Sequence, residues 1–283
     1  MKFARVRTAD GTRPVVVSGD EAYDLSELLG DITPMTMDLL DSAAAAAADG
    51  KLNAVDLTDA VFEAPVASTG AVIAIGMNYA AHAAESGSVP PTAPVIFLKT
   101  PNTIAAPDDP FVIPARSVKT DWEVELAMVI KKRAYELGDG DDPLAYVAGF
   151  TVADDLSERT FQLEESGGQW SKGKCVPGST PLGPWLVTPD DVDRQALRLR
   201  SFVNDEPRQN SSTADMIFDC ATIIRHLSQY LALEAGDVVL TGTPEGVALS
   251  GRFPYLKPGD VVRIEIEGLG SQTHLMIAPG ASA

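Results

Sequence analysis

From Gly70 to the C-terminus the chain breaks into short apolar runs separated by glycine, proline and aspartate. They read "AVIAIG", "VIFLK", "DWEVELAMVI", "YVAGFTVADD", "LRLRSFVN", "DVVLTG" and "DVVRIEIEG". Runs of this length between turn residues are strands. One long helix is predicted, "TADMIFDCATIIRHLSQYLAL" at 213–233. Ile217, Ala221, Ile224, Leu227 and Leu231 would form its apolar stripe and Thr213 its cap. Many strands with few helices exclude a βαβ repeat and predict a β-rich α+β fold. "LEAGD" and "LKPGD" each precede a strand, one turn chemistry used twice.

Residues 1–66 read as a small N-terminal domain ahead of a larger one at 67–283. "KFARVRT" and "PVVVS" form a hairpin turning at Asp10-Gly11, and "MTMDLLDSAAAAAADG" forms a helix closing at Gly50. The alanine run needs no function beyond good helix propensity. "FEAPVASTG" reads as the linker.

Asp and Glu outnumber Lys and Arg by 40 to 22, a formal net charge of −18. That balance argues against nucleic acid and anionic membranes as partners, because both need a basic footprint. It does not restrict a small anionic substrate, which responds to the local field. No signal peptide or spanning run is visible, and Cys175 and Cys220 lack metal-site spacing, so a soluble cytoplasmic protein is expected.

The strand 120–130, "TDWEVELAMVI", carries the main chemical signal. Alternation puts Trp122, Val124, Leu126 and Met128 on one face and Glu123, Glu125, Ala127 and Val129 on the other. A solvated edge strand would tolerate two adjacent carboxylates. The apolar continuation "LAMVI" instead predicts burial, where like charges persist with a cation between them. A third carboxylate comes from "FTVADDLS", where Asp154 and Asp155 fall on opposite faces and only one can join. Three carboxylates make a hard, all-oxygen site for Mg²⁺, Mn²⁺ or Ca²⁺ rather than zinc.

"GMNYAAHAAESG" leaves a strand and opens a short helix with His82 and Glu85 at i and i+3. A carboxylate there can orient an imidazole acting as general base on water, although an incidental pair on a surface helix has the same spacing. The following "SGSVPPTAP" is polar and rich in Pro, Gly and Ser, as a lid over 78–92 would be. Lys99 ends "VIFLK", and Lys172 and Lys174 sit in "QWSKGKCVPG". A lysine beside a metal favours an anionic substrate, while Lys172 reads as a surface residue. Thr243, in "LTGTPEGV", offers a hydroxyl or amide to a ligand.

Taken together, "GMNYAAHAAE", "DWEVELAMVI", "FTVADDLSERTFQ", "QWSKGK", "PLGPWLVT", "STADMIF" and "LTGTPEGV" resemble the fumarylacetoacetate hydrolase family over roughly residues 70–275. "KTDWEVEL", "LSER", "GGQW" and "IEGLGSQ" look closest to its branch acting on 2,4-diketo-3-deoxy sugar acids. The resemblance implies a mixed β-roll catalytic core after the N-terminal domain, usually in a homodimer. It also implies metal ligands at Glu123, Glu125 and Asp155, a His82–Glu85 dyad, a catalytic Lys174, and substrate contacts at Arg159, Gln162 and Thr243, with Lys99 added as a further substrate lysine. The implied reaction is metal-dependent hydrolysis of the C3–C4 bond of an acylpyruvate or 2,4-diketo-3-deoxy sugar acid, releasing pyruvate. Oxaloacetate decarboxylation and 2-hydroxy-dienoate isomerisation or tautomerisation share its enolate chemistry. In one departure, "CVPGSTPLGPW" lacks the Asp and Phe of the sugar-acid branch, in a loop expected to border the substrate.

Overall fold

The computed structural model describes residues 1–280 apart from Asp10, Asp20 and Ser86. All seven apolar runs form strands. The largest sheet has the order 54–55, Glu21–Asp24, Gly11–Ser18, Lys2–Thr8, Leu186–Val187, Val147–Asp154, Val124–Ile130, Val238–Leu240, Val72–Gly76 and Val95–Lys99, with Val61–Glu63 also paired to Lys2–Thr8. It is mixed, since Val238–Leu240 runs parallel to Val72–Gly76 and antiparallel to Val124–Ile130. A second sheet orders Glu206–Ser212, Arg198–Val203, Val261–Ile266, Gly270–Ile277 and Phe111–Val112. Among the described residues no helix is long and apolar enough to cross a membrane.

The E-x-E strand is buried along its whole length, and its alternation divides the interior. Val124, Leu126, Met128 and Ile130 pack with Leu199, Val262 and Ile264 of the second sheet and with Ile223, Ile224 and Leu227 of the helix Cys220–Ser228. On the opposite face Ala127 meets Val72, Ala74, Val238 and Leu240, and Val129 meets Phe3, Val16 and Leu186. The N-terminal hairpin thus shares both a sheet and a core with the larger part of the chain. The alanine-rich helix, Leu40–Ala48, buries Leu40, Ala43 and Ala47 in that core. Asp10, half of the expected hairpin turn, lies outside the described residues. The 63–70 stretch is packed, with Ala64 and Val66 buried and Ala67 N donating to Ile32 O at 2.8 Å.

The expected helix over 213–233 is shorter, at Cys220–Ser228, and its cap is Asp219, whose Oδ1 accepts from Thr222 N at 2.7 Å. Thr213 instead accepts from Leu197 N at 2.9 Å. Residues 217–218 are captured by a distant partner, because Ile217 N donates to Asn78 O at 2.7 Å and Phe218 N to Asn78 Oδ1 at 2.8 Å. Helical periodicity cannot foresee such a long-range hydrogen bond. The two similar turns do share one device: Asp237 and Asp260 each accept from the amide three residues before, Glu234 N at 2.8 Å and Lys257 N at 2.9 Å.

Asp219→Ala removes the cap and is expected to cost about 1 kcal/mol. A lower urea midpoint with an unchanged m-value is the result to look for.

Candidate functional site

Strand register brings the acidic groups together. Val124 pairs with Asp154 across the antiparallel strands, and Asp155 N donates to Glu123 O at 3.0 Å, so Asp155 lies opposite Glu123. Glu123, Glu125 and Asp155 each direct an oxygen to a point where the three lie within 4.8 Å of one another, all buried. Asp154 turns to the other face, where its Oδ1 accepts from Glu123 N at 2.8 Å. The donor set is all oxygen and anionic, which fits a hard divalent cation.

Three cations compensate this buried charge. Lys174 Nζ lies 2.7 Å from both Glu123 Oε2 and Asp155 Oδ2, and Lys99 Nζ lies 2.5 Å from Asp155 Oδ1. Arg159 Nη2 is 2.7 Å from Glu123 Oε1 and 2.8 Å from Asp121 Oδ2. Burial opposes ionisation of Glu123, but Lys174 and Arg159 outweigh it and hold the carboxyl at about 2. Among the described residues Glu125 makes no ion pair of this kind; its Oε2 accepts from Gly242 N at 2.7 Å. Burial, with Asp155 and Glu123 beside it, pushes its carboxyl well above the ordinary range. A group driven to hold a proton in this way is where a metal cation would substitute.

Lys174 reaches the triad from the short helix Ser171–Lys174, which packs closely on 158–162. A Cβ on Gly173 would stand 2.3 Å from Glu158 O. His82 is buried on the helix Ala80–Glu85, which is anchored where Ala81 N donates to Asp215 Oδ2 at 2.9 Å. Burial lowers the His82 pKa, against the pull of Glu123. Glu85 Oε2 lies 3.9 Å from His82 Nδ1, an electrostatic contact longer than a hydrogen bond, while it accepts from Gly246 N at 3.0 Å.

Glu123, Glu125, Lys174, His82, Arg159, Gln162 and Thr243 all line one cavity of about 200 Å³. Asp155, Lys99 and Glu85 stand behind that surface. Lys99 is buried, with its ammonium on Asp155 and on Ser179 O at 2.8 Å. No residue of the loop 175–185 lines this cavity; its Ser179 O accepts from Lys99 Nζ at 2.8 Å. Gly87–Pro90, in the expected lid, is exposed, and Ser88 reaches the cavity wall.

Sequence reasoning missed two groups. Asp121 accepts from Trp122 N, Ala248 N, Leu249 N and Arg159 Nε at 2.8–3.0 Å, tying the guanidinium to the loop beyond Val247. Gln209 accepts from Val124 N at 3.1 Å and donates to Thr243 Oγ1 at 2.8 Å. Asp121 left a signal, an acidic residue opening a buried strand, whereas Gln209 left none.

Residues 71–276 match the family described as fumarylacetoacetate (FAA) hydrolase C-terminal. The chain belongs to the fumarylacetoacetate hydrolase family. Over 276 residues, 96% of this chain and 94% of the relative, it is 39% identical to a 2,4-didehydro-3-deoxy-L-rhamnonate hydrolase of Sphingomonas sp. strain SKA58. Its fold is similar to that of the 5-carboxymethyl-2-hydroxymuconate delta-isomerase of Mycobacterium smegmatis, at a TM-score of 0.79 and 32% identity over 99% of this chain and 100% of that one. It is also similar to maleylpyruvate hydrolase from Sphingobium sp. SYK-6, solved with manganese(II) and pyruvate. There the TM-score is 0.79 and the identity 29%, over 98% of this chain and 99% of that one. Family membership makes this an enzyme of hydrolase and isomerase kin on the expected β-rich mixed-sheet fold.

Behind the triad, His274 is fully buried with Nε2 3.9 Å from Asp154 Oδ2. Burial lowers the imidazole from 6.5 to about 4. The folded value lies below the unfolded one, so its contribution to stability is full above pH 6.5 and is lost as pH falls towards 4. Wild type should therefore lose about 3 kcal/mol relative to His274→Gln over that interval, read from urea unfolding at several pH values.

Proposed function

We propose that this enzyme hydrolyses the C3–C4 bond of a 2,4-diketo acid and releases pyruvate. One observation carries the reading: a buried three-carboxylate cluster presents Glu123 and Glu125 to the same cavity as an imidazole and a lysine. A divalent cation, Mg²⁺ or Mn²⁺, held by Glu123, Glu125 and Asp155 would supply Lewis-acid polarisation to an anionic 2-oxo acid head.

Burial keeps the His82 imidazole neutral, the form that accepts a proton. His82 takes a proton from water, and the resulting hydroxide adds to the C4 carbonyl. The C3–C4 bond breaks with its electron pair going to C3, and the acyl part leaves as a carboxylate. Protonation at C3 completes pyruvate. Lys174, 2.7 Å from two of the carboxylates, sits where its ammonium stabilises negative charge developing on the pyruvoyl oxygen. Arg159 and Gln162, hydrogen-bonded at 2.9 Å, form the adjoining polar wall for the substrate carboxylate. Glu85 stays within electrostatic range of His82 and favours its protonated form after transfer.

A second reading rests on the 32%-identical delta-isomerase: isomerisation of a 2-hydroxy-dienoate, which needs proton shuttling without water addition.

The test is pyruvate release from acetylpyruvate with Mg²⁺ or Mn²⁺ and again after chelation. Glu123→Ala should abolish the metal-dependent rate. His82→Ala should lower kcat by about 10²–10⁴-fold while metal binding, followed by calorimetry, persists. A wild-type rate in His82→Ala would refute the base assignment, and dienoate turnover without pyruvate release would favour the isomerase.

A further inference from the structure

The cavity walls divide by chemistry. Near the carboxylates its polar side chains are hydrogen-bonded: Arg159 Nη1 donates to Gln162 Oε1 at 2.9 Å, and Thr243 Oγ1 donates to Val124 O at 3.0 Å while accepting from Gln209. The remaining wall is largely apolar, made by Ile75, Met77, Phe97, Leu163, Trp170 and Leu249, with Ser88 at one point. Phe97 joins the two regions. The Lys174 ammonium lies 5.2 Å from the Phe97 ring centroid, and the Trp170 ring meets Phe97 edge-on at 5.8 Å. Anything extending from a head group at Lys174 therefore passes directly onto an aromatic surface.

Trp170 is held there by the backbone. A Cβ on Gly76, at the end of the strand Val72–Gly76, would stand 2.3 Å from Trp170 Cζ3. The missing side chain lets the indole close against the strand and form the wall. Leu249 is fixed from behind, because its amide donates to Asp121 Oδ2 at 3.0 Å.

Resting on the diketo-acid reading above, we infer that the tail beyond C4 is a short apolar acyl group seated on the Phe97–Trp170 wall. A polyhydroxylated tail is discriminated against, because hydroxyls buried on that wall would give up water without finding partners. The apolar wall lines the same cavity of about 200 Å³ as the Lys174 ammonium, so a tail beside the head meets it. This separates the chain from the sugar-acid activity in the name of its 39%-identical relative.

The experiment compares kcat/KM of the full-length protein, with Mn²⁺, for acetylpyruvate, butyrylpyruvate, 3-hydroxybutyrylpyruvate and a 2,4-diketo-3-deoxy sugar acid. Butyrylpyruvate should exceed acetylpyruvate at least about 10-fold, and the added hydroxyl should cost about 10²-fold. A sugar acid turned over as well as butyrylpyruvate would overturn the inference and leave the hydrolase reading intact. Failure of every diketo acid to release pyruvate would overturn both. Trp170→Ala and Gly76→Ala should each reduce the butyryl-to-acetyl ratio about 10-fold, with circular dichroism checking the fold. An unchanged ratio in a folded Trp170→Ala protein would exclude the wall as the tail site. Should that variant fail to fold, the wild-type substrate ratios decide the question alone.

Discussion

Everything around the site depends on neutralising negative charge that has been taken out of water. Asp121, Glu123, Glu125 and Asp155 are all buried, and so are Lys99, Arg159 and Lys174. A buried ion that loses its partner costs about 3–5 kcal/mol, so this set is conformationally demanding. Its members come from four stretches of chain that meet only in the folded state: the end of Val95–Lys99, the 121–125 segment, the 155–159 segment and the helix Ser171–Lys174. Each cation ties stretches together: Lys174 joins Glu123 to Asp155, Arg159 ties its own 155–159 segment to Asp121 and Glu123, and Lys99 joins Asp155 to the Ser179 carbonyl. The charge network is therefore also a clamp on the backbone around the cavity. Among the described residues Glu125 is the carboxylate of the cluster without a paired cation, and burial with Asp155 and Glu123 beside it pushes it to hold a proton, the position where a metal ion would help most.

The framework that holds this clamp is rigid for ordinary reasons. The E-x-E strand lies near the middle of the largest sheet, with apolar layers on both faces, so Glu123 and Glu125 project from a strand that cannot shift register without burying the wrong side chains. The helix bearing His82 is anchored at its start by Asn78 and Asp215 and at its end by Glu85 on Gly246. The His82 imidazole and the carboxylates thus rest on separate supports across the cavity. Chains similar to this one include named hydrolases and a named isomerase.

Much of this was legible in the chain itself. Short apolar runs between turn residues identified the strands, and alternation within 120–130 identified the face carrying both glutamates, because both signals are written into neighbouring residues. The Gly-Asp turns before two strands were legible for a similar reason, since an aspartate bonding an amide three residues away is a local event. The helix at 213–233 was overestimated because Asn78, more than 130 positions earlier, takes the amides of Ile217 and Phe218. The 175–185 loop was assigned to the substrate boundary from its position after Lys174. Its Ser179 carbonyl also accepts from Lys99, a contact across 80 positions that sequence proximity does not reveal.

The sequence by itself determined the strand-rich architecture, the carboxylate pair, the candidate imidazole and the lysines, because residue type and short-range periodicity are properties of neighbours along the chain. Only the tertiary structure decided which cation neutralises which carboxylate, that Asp121 and Gln209 belong to the site, and that Lys99 stands behind the cavity. It also decided that aromatic and aliphatic residues cover one side of the cavity. Those relations are set by distances of a few ångströms between segments far apart in sequence, and the energy of a buried charge depends on such distances rather than on composition.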